Sequence, residues 1–271
     1  MIILNIFDPK DYEIYTYGNK YTGGNVTPRS LKEWTGRSGA DWTFNLAFFD
    51  FASAYNNARN IGGRTLQPVF SSKVGQIGCP DAANRTDQIT IQGSSFRGWS
   101  TAIKDGAVQK GLNTTAYRAR NMNGLTTDGR YIHVTTSKMT EYQVAIQVLN
   151  MVKKDYRTGI KYLFIEDAGG STQEYSAISK LSYTPEGFRD VASVMCIKRK
   201  TIYTFTRTLH RGLNGEDTRI LQQALGGIEV DGIFGYGTQN RLKEAQKALK
   251  LNPDGYAGPL TAKAMGFNFK A

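Results

Sequence analysis

The chain has 271 residues, 40% of them hydrophobic and 21% charged, which is typical of a globular protein with one large and one small domain. No stretch approaches the roughly 18 consecutive apolar residues of a membrane span. Only two histidines and two cysteines are present, so a zinc site with several such ligands is nearly excluded. The formal charge of +11 favours an anionic partner, whether nucleic acid, membrane or cell wall.

The N-terminal part alternates strand and helix signals. Residues 42–49 are rich in aromatic side chains and predict a strand. Residues 102–108 and 122–134 each contain an Asp-Gly pair between apolar residues, which predicts two tight hairpins. In the second hairpin His133 alternates with Ile132 and Val134, so we predict an ordinary strand residue that points toward solvent or a neighbour.

A helix and a buried strand are predicted next. Thr140 and Gln143 have the spacing of a capping box, in which each side chain satisfies a free backbone amide of the other. The buried face of the following helix is predicted to hold Tyr142, Ile146, Leu149 and Val152. Residues 162–165 form an apolar run that predicts a buried strand, and an acidic, glycine-rich loop at 166–172 follows it. Such a loop lets backbone approach a ligand.

The C-terminal part contains an internal repeat. The pattern D-G-x-x-G-x-x-T occurs at 231–238 and again at 254–261, which predicts the same turn into a helix twice. Three short helices are expected: one begins after Asp217 as N-cap and ends at Gly226-Gly227, one begins after Thr238 and one after Pro259. Three short helices in about 60 residues make a small core, normal for a binding module and poor for an enzyme.

Residues 208–271 resemble the peptidoglycan-binding type 1 family of cell-wall hydrolases, although Ala245-Gln246 stands where that family usually has Phe-Gln. The resemblance implies a three-helix domain whose ligand groove lies near its second helix and the preceding loop. The wall-binding residues that it suggests are Asp231, Phe234, Tyr236 and Arg241. For Asp231 and Phe234, turn formation and packing are at least as good an interpretation.

The order of motifs between about residues 40 and 200 resembles the phosphodiester glycosidase family. The motifs are Phe44-Asn45 with Phe48-Phe49, Lys104-Asp105-Gly106, Arg120 before Asp128-Gly129, Asp167-Ala168-Gly169-Gly170-Ser171-Thr172, and Arg189-Asp190-Val191. Leu46-Ala47 and Ala168 depart from the glycines of the family, so substrate contacts there could differ. Residues 51–100 match none of these motifs and read as an insertion.

Glycosidic cleavage normally uses two carboxyl groups, whereas a phosphate leaving group makes arginine valuable, because its planar fork binds phosphate oxygens bidentately. The predicted catalytic residues are Asp167, as nucleophile or base, with Glu166, Arg120 and Arg189. The predicted substrate-binding residues are Asn45, Gly169, Gly170, Ser171 and Thr172. The two arginines could equally form ordinary surface ion pairs.

The second carboxylate is left open by the sequence. Adjacent strand residues point to opposite faces, so Glu166 and Asp167 do not form an acid/base pair unaided. Glu174, Asp128 and Asp50 are the alternatives.

Together these patterns predict an α+β protein, with a mixed β-sheet catalytic domain at 1–200 and a three-helix domain at 208–271. The expected function is that of an endolysin-like cell-wall hydrolase, cleaving a glycosidic or phosphodiester-glycosidic bond. A peptidoglycan amidase or peptidase and a non-catalytic wall-binding protein are the alternatives. The expected partner is peptidoglycan or an anionic wall glycan, not nucleic acid. No cofactor is assigned, and a calcium requirement is left open.

The N-terminus lacks the basic and apolar regions of a secretion signal. We therefore expect synthesis in the cytoplasm and action at the wall after holin-type release or non-classical export.

Overall fold

The computed structural model describes residues 1–18, 28–46, 59–61, 64–66, 76–77, 89–92, 94–96, 100–166, 168–191 and 193–270. The strands in chain order are β1 Ile2–Phe7, β2 Tyr12–Gly18, β3 Trp42–Asn45, β4 Arg59–Ile61, β5 Arg64–Leu66, β6 Gln76–Ile77, β7 Ile89–Ile91, β8 Ser94–Phe96, β9 Ser100–Lys104, β10 Ala107–Val108, β11 Asn121–Thr126, β12 Tyr131–Thr136, β13 Ile160–Ile165, β14 Glu174–Ser176, β15 Leu181–Tyr183, β16 Ser193–Arg199, β17 Thr204–Phe205 and β18 Asn268–Phe269. The helices are α1 Leu31–Ser38, α2 Glu141–Tyr156, α3 Glu216–Leu225, α4 Tyr236–Ala248 and α5 Pro259–Ala264. The predicted α+β class is confirmed.

Two antiparallel sheets face each other and form the centre of the N-terminal part. Among the described strands, one sheet has the order β1-β12-β11-β13-β9-β10 and the other β15-β14-β3-β16-β2. Their inner faces share one buried cluster that contains Phe7, Phe44 and Tyr131. Because strand side chains alternate, Ile132 and Val134 lie on the face opposite to His133, as the sequence predicted, and this is the outer face of the first sheet.

A helix covers the outer face of each sheet. The capping box of α2 is confirmed, since Gln143 N donates to Thr140 Oγ1 at 3.2 Å and Thr140 N donates to Gln143 Oε1 at 3.1 Å. The predicted buried face is correct at Val152 and in part at Leu149, which packs partly buried against the same cluster, but it is wrong at Tyr142, which is 45% exposed. The residues that α2 buries are Val144, Ala145, Val148 and Val152. On the other sheet, Leu31 and Trp34 of α1 pack against β2 and β16.

Both predicted Asp-Gly hairpins are confirmed. β9 pairs with β10, and β11 pairs with β12, each across its Asp-Gly turn. Asp105 has a φ of 48° and Gly106 a φ of 76°, the left-handed conformations that such turns require.

The three C-terminal helices are present, with two boundaries corrected. The helix α4 begins at Tyr236, so Thr238 lies in its first turn and does not precede it. Asp217 is not the N-cap of α3: the helix begins at Glu216 after Gly215, and the Asp217 carboxylate accepts a hydrogen bond from Tyr203 Oη at 2.6 Å. Gly226 ends α3 with a φ of 62°, as predicted.

The C-terminal helices pack tightly on the N-terminal part. Leu221 and Leu225 of α3 belong to the same buried cluster as Trp42 and Phe44 of β3. The indole Nε1 of Trp42 donates to the carbonyl oxygen of Gln223 at 3.0 Å. The two parts therefore share one core.

Cys196 is a free and buried thiol, whereas Cys79 lies outside the described residues. None of the helices described is both long enough and apolar enough to cross a membrane.

Candidate functional site

The glycine-rich loop after β13 is held against the start of β11. Glu166 N donates to Asn121 O at 2.9 Å, and Gly169 N donates to Ala119 O at 3.0 Å. Gly169 has a φ of 68°, a conformation that favours glycine, and it begins a short 3-10 turn that ends at Ser171. Asp167, the predicted nucleophile or base, lies outside the described residues.

Buried polar side chains collect around this loop. Asn45, Asn121, Ser171 and Thr172 are each at most 1% exposed. Asn121 Nδ2 donates to the carbonyl oxygen of Asn45, which ties β3 of one sheet to β11 of the other. Within the described residues, both side-chain polar atoms of Asn45, Oδ1 of Asn121 and the hydroxyls of Ser171 and Thr172 have no hydrogen-bond partner. Buried polar atoms are nearly always paired, so this concentration indicates a place that takes up a polar ligand or water.

Charged side chains lie over the two glycines. A β-carbon at Gly169 would lie 3.2 Å from Glu186 Oε2 and 3.9 Å from Arg118 Nη1. A β-carbon at Gly170 would lie 3.6 Å from Arg189 Nη2. Glu186 is fixed in place, since its Oε1 accepts a hydrogen bond from Ala119 N at 2.9 Å. The structure thus brings Arg189 to the predicted loop and adds Arg118 and Glu186, which the sequence did not indicate.

Arg120 is committed to protein contacts. Its Nη1 contacts Glu141 Oε1 at 2.9 Å, Nη2 donates to Ala116 O at 2.8 Å, and Nε donates to Met139 O at 3.2 Å. The side chain is 6% exposed. Arg120 therefore forms an ion pair, as the alternative interpretation had it, but a buried one and not one at the surface. Arg189 and Arg118 are the cations beside the glycines.

Glu174, Asp128 and Asp50, the alternatives for a second carboxylate, do not gather at the loop. Glu174 accepts hydrogen bonds from Gly227 N in the C-terminal part and from Asn5 Nδ2. Asp128 pairs with Arg130 at 2.8 Å in the second hairpin, and Asp50 lies outside the described ranges. The carboxylates that the structure places at the loop are those of Glu166, which is 4% exposed, and Glu186, which lies over Gly169.

His133 is a core residue and does not point toward solvent. Its Nδ1 lies 2.8 Å from Asn123 Oδ1, its Nε2 lies 2.8 Å from Thr135 Oγ1, and its ring stacks on Phe44 at 3.8 Å. Burial lowers the pKa of His133 well below its ordinary value, so the imidazole is neutral. This geometry fits a structural role that links the two sheets.

Each copy of the C-terminal repeat is closed by a buried glutamine. Gln222 Nε2 donates to Asp231 Oδ1 at 2.7 Å and to Thr238 Oγ1 at 3.0 Å, while Gly232 N donates to Gln222 Oε1 at 2.7 Å.

Gln246 repeats these bonds in the second copy. It donates to Asp254 Oδ1 at 2.8 Å and to Thr261 Oγ1 at 3.1 Å, and its Oε1 accepts from Gly255 N at 2.9 Å. The repeat is therefore a glutamine clamp on a turn that leads into a helix.

The four predicted wall-binding residues have different surroundings. The Asp231 carboxylate is occupied by the first clamp and by Ile233 N, and the Phe234 ring is 1% exposed in the core. Arg241 donates to Gly226 O at 2.8 Å and pairs with Glu244, whereas Tyr236 is 69% exposed. Tyr236 is thus the member of this set with a side chain open to a polymer.

Residues 214–265 match the family described as "Putative peptidoglycan binding domain". The C-terminal part of this chain carries that domain, as the sequence resemblance predicted. No curated protein matches the chain. Among solved structures, the chain is similar to a zebrafish N-acetylglucosamine-1-phosphodiester alpha-N-acetylglucosaminidase catalytic domain auto-inhibited by its pro-peptide, at 12% identity and a TM-score of 0.47, covering 73% of this chain and 84% of that one.

A hypothetical protein from Synechocystis is similar at 11% identity and a TM-score of 0.49, covering 72% of this chain and 58% of that one. The described residues contain no group of three or more histidine, cysteine, aspartate or glutamate side chains that could hold a metal ion.

Proposed function

We propose that this protein hydrolyses a glycosidic bond in bacterial cell-wall glycan, including a bond to a phosphodiester, while its C-terminal domain holds it on peptidoglycan. The observation that carries the proposal is the set of buried polar atoms of Asn45, Asn121, Ser171 and Thr172 near the glycine turn that have no hydrogen-bond partner among the described residues. A sugar ring carries hydroxyls that both donate and accept, so it can satisfy amide and hydroxyl groups of this kind.

The charged groups over Gly169 and Gly170 fit the reacting end of such a substrate. Arg189 and Arg118 can bind phosphate or carboxylate oxygens in a bidentate way. A phosphate leaves as a stable anion and needs little acid assistance, so arginine replaces part of the work of a general acid.

The carboxyl chemistry is assigned to the same loop. Asp167 is proposed as the nucleophile or base. Either Glu166 or Glu186 is proposed to supply the second catalytic carboxylate.

The wall contact is assigned to the exposed ring of Tyr236. Arg211 lies over this ring at 4.2 Å, so an aromatic face and a cation are presented together. The formal charge of +11 adds long-range attraction to an anionic wall.

Digestion of purified cell walls tests the activity. New reducing ends without new free amines support the proposal, free amines instead indicate an amidase or peptidase, and neither product indicates a non-catalytic wall-binding protein. We expect Asp167→Ala and Arg189→Ala each to lower the rate of reducing-end release at least about a hundredfold. Arg37→Ala, which removes an exposed arginine from α1, is the matched control and should keep the wild-type rate.

Sedimentation with insoluble peptidoglycan tests the anchor separately. Tyr236→Ala should reduce the bound fraction, and Tyr142→Ala, which removes another exposed tyrosine outside the C-terminal domain, should leave it unchanged. Equal binding of both variants would contradict the assigned wall contact.

A further inference from the structure

A cavity of about 620 Å³ lies where the C-terminal domain meets the N-terminal part. Its walls come from the turn between β1 and β2, the end of α2, the segment after β16 and one face of α3. Ligand pockets usually measure about 300–1,000 Å³, so this junction cavity is large enough for a chain of a few sugar rings. Neither the glycine turn nor Tyr236 lines it.

The walls of the junction cavity are braced by hydrogen bonds that cross between the two parts. Tyr12 Oη donates to Gln223 Oε1 at 3.2 Å, and Gln223 Nε2 donates to Ile6 O at 3.2 Å. The indole of Trp42 donates to the backbone of the same glutamine. The cavity is thus a built and preorganised feature, which lowers the entropic cost of binding.

Aromatic rings supply the apolar part of the lining. Tyr12, Trp42, Tyr156 and Tyr203 all contribute to it. Tyrosine and tryptophan pair an apolar ring with a polar group, which suits a ligand that has both an apolar face and hydroxyls. Burial in the first place raises the pKa of Tyr12 and of Tyr203 to about 12, so both phenols stay neutral and keep their protons.

The positive charges of the lining are already in use. The guanidinium of Arg130 contacts Asp128 at 2.8 Å, that of Arg199 contacts Asp41 at 3.2 Å, and that of Arg219 donates to Val230 O at 2.7 Å. An anionic ligand would therefore have to displace existing partners of these arginines.

Two of the four carboxylates of the lining already have partners: Glu216 pairs with Arg219 at 3.8 Å, and Asp8 Oδ1 accepts a hydrogen bond from Lys10 N at 2.9 Å. The other two belong to Asp11 and Asp155. In the part of the chain that the structure describes, Asp11 and Asp155 form no side-chain ion pair or hydrogen bond, and both are exposed. The junction cavity therefore offers hydrogen-bond acceptors and favours a ligand that carries many hydrogen-bond donors.

We propose that the junction cavity binds an uncharged saccharide segment of the wall glycan, with sugar faces on the tyrosine rings and sugar hydroxyls or acetamido N–H groups on Asp11 and Asp155. Carboxylates that repel phosphate reject an anionic wall polymer at the same place. The proposal rests on the assignment of wall glycan as the substrate of this protein. The junction cavity would then be a second glycan contact, which both parts of the chain form and which is separate from the glycine turn and from Tyr236.

Calorimetric titration of the full-length protein with tetra-N-acetylchitotetraose measures the binding of an uncharged saccharide directly. We expect the wild type to bind, and the double variant Asp11→Ala/Asp155→Ala to bind at least tenfold more weakly. Both side chains are exposed, and loss of an acid from the end of α2 favours that helix. The matched control is Asp105→Asn/Glu229→Ala, which also removes two exposed carboxylates outside the cavity and should bind like wild type.

Absence of binding to the wild type, or equal binding by the double variant, would overturn the inference. A poly(glycerol phosphate) that competes with the saccharide for the cavity would overturn it as well. Because reducing-end release from walls is measured independently with the Arg189 variant, failure of this saccharide site and failure of the proposed hydrolase activity give different results.

Discussion

Glu174 provides a test of how the two parts of the chain are joined. The side chain is 3% exposed and lies in β14, and its Oε1 accepts a hydrogen bond from Gly227 N just after α3 ends. Its Oε2 accepts from Asn5 Nδ2 at 3.4 Å. A carboxylate is poorly placed here, because it is buried and lies near the negative end of a helix dipole.

The magnitude follows from the pKa. Burial raises the pKa of Glu174 from an ordinary 4.5 to about 7, while the Gly227 N–H, Arg241 and Thr135 act in the lowering direction. The folded state thus prefers the protonated acid. Its stabilising contribution is fully present below pH 4.5 and is lost as pH rises through 7, a change of about 3 kcal/mol at about 1.4 kcal/mol per pH unit.

Glu174→Gln removes the titration and keeps an oxygen that can accept from Gly227 N. We expect urea denaturation to show that the variant gains stability relative to wild type as pH rises. The difference in the free energy of unfolding, variant minus wild type, should be about 3 kcal/mol larger at pH 8.5 than at pH 4. Glu229→Gln, at an exposed position, controls for loss of a negative charge. If the difference between Glu174→Gln and wild type changes by less than about 1 kcal/mol over this range, the reasoning is refuted.

Two further substitutions test the C-terminal domain. Gln246→Ala leaves the buried partners of the second clamp unsatisfied, so urea denaturation should show a free energy of unfolding about 3 kcal/mol lower than that of wild type. The control Asn240→Ala, on the exposed side of α4, should change the free energy of unfolding by less than about 0.5 kcal/mol. Gly227→Ala places a β-carbon 2.6 Å from Arg241 Nη2 at a φ of 71°, so the melting temperature should fall, while Gly237→Ala, with nothing within 4 Å, should not lower it. Equal melting temperatures for the two alanine variants would contradict the account of this close approach.

Elements fixed by neighbours in sequence could be predicted. The Asp-Gly hairpins, the capping box of α2 and the helix end at Gly226 all depend on contacts within a few residues. The buried face of α2 could not be predicted, because it depends on where the sheet lies. The helix turns Val144, Ala145 and Val148 toward the outer face of the first sheet and leaves Tyr142 exposed.

The same distinction applies to the candidate site. The loop at 166–172 and Arg189 were found from motif order, whereas Glu186 reaches Ala119 across 67 residues of sequence. No local pattern indicates such a contact. For the clamps a signal did exist: Gln222 lies nine residues before Asp231, and Gln246 lies eight before Asp254. Because these two spacings differ by one residue, extending the repeat toward the N-terminus finds both glutamines only when a one-residue gap is allowed.

Leu221 and Leu225 of α3 share their buried cluster with Trp42 and Phe44 of the N-terminal part. The C-terminal domain is therefore packed directly on the N-terminal part, so that Tyr236 and the turn at Gly169 belong to one folded unit. On a hydrolase built this way, a glycan gripped at one end presents its bonds at a fixed offset from the reacting groups. Under the proposed function, such an enzyme would release fragments of narrow length distribution, whereas a flexibly linked enzyme would cut at every distance that its linker allows.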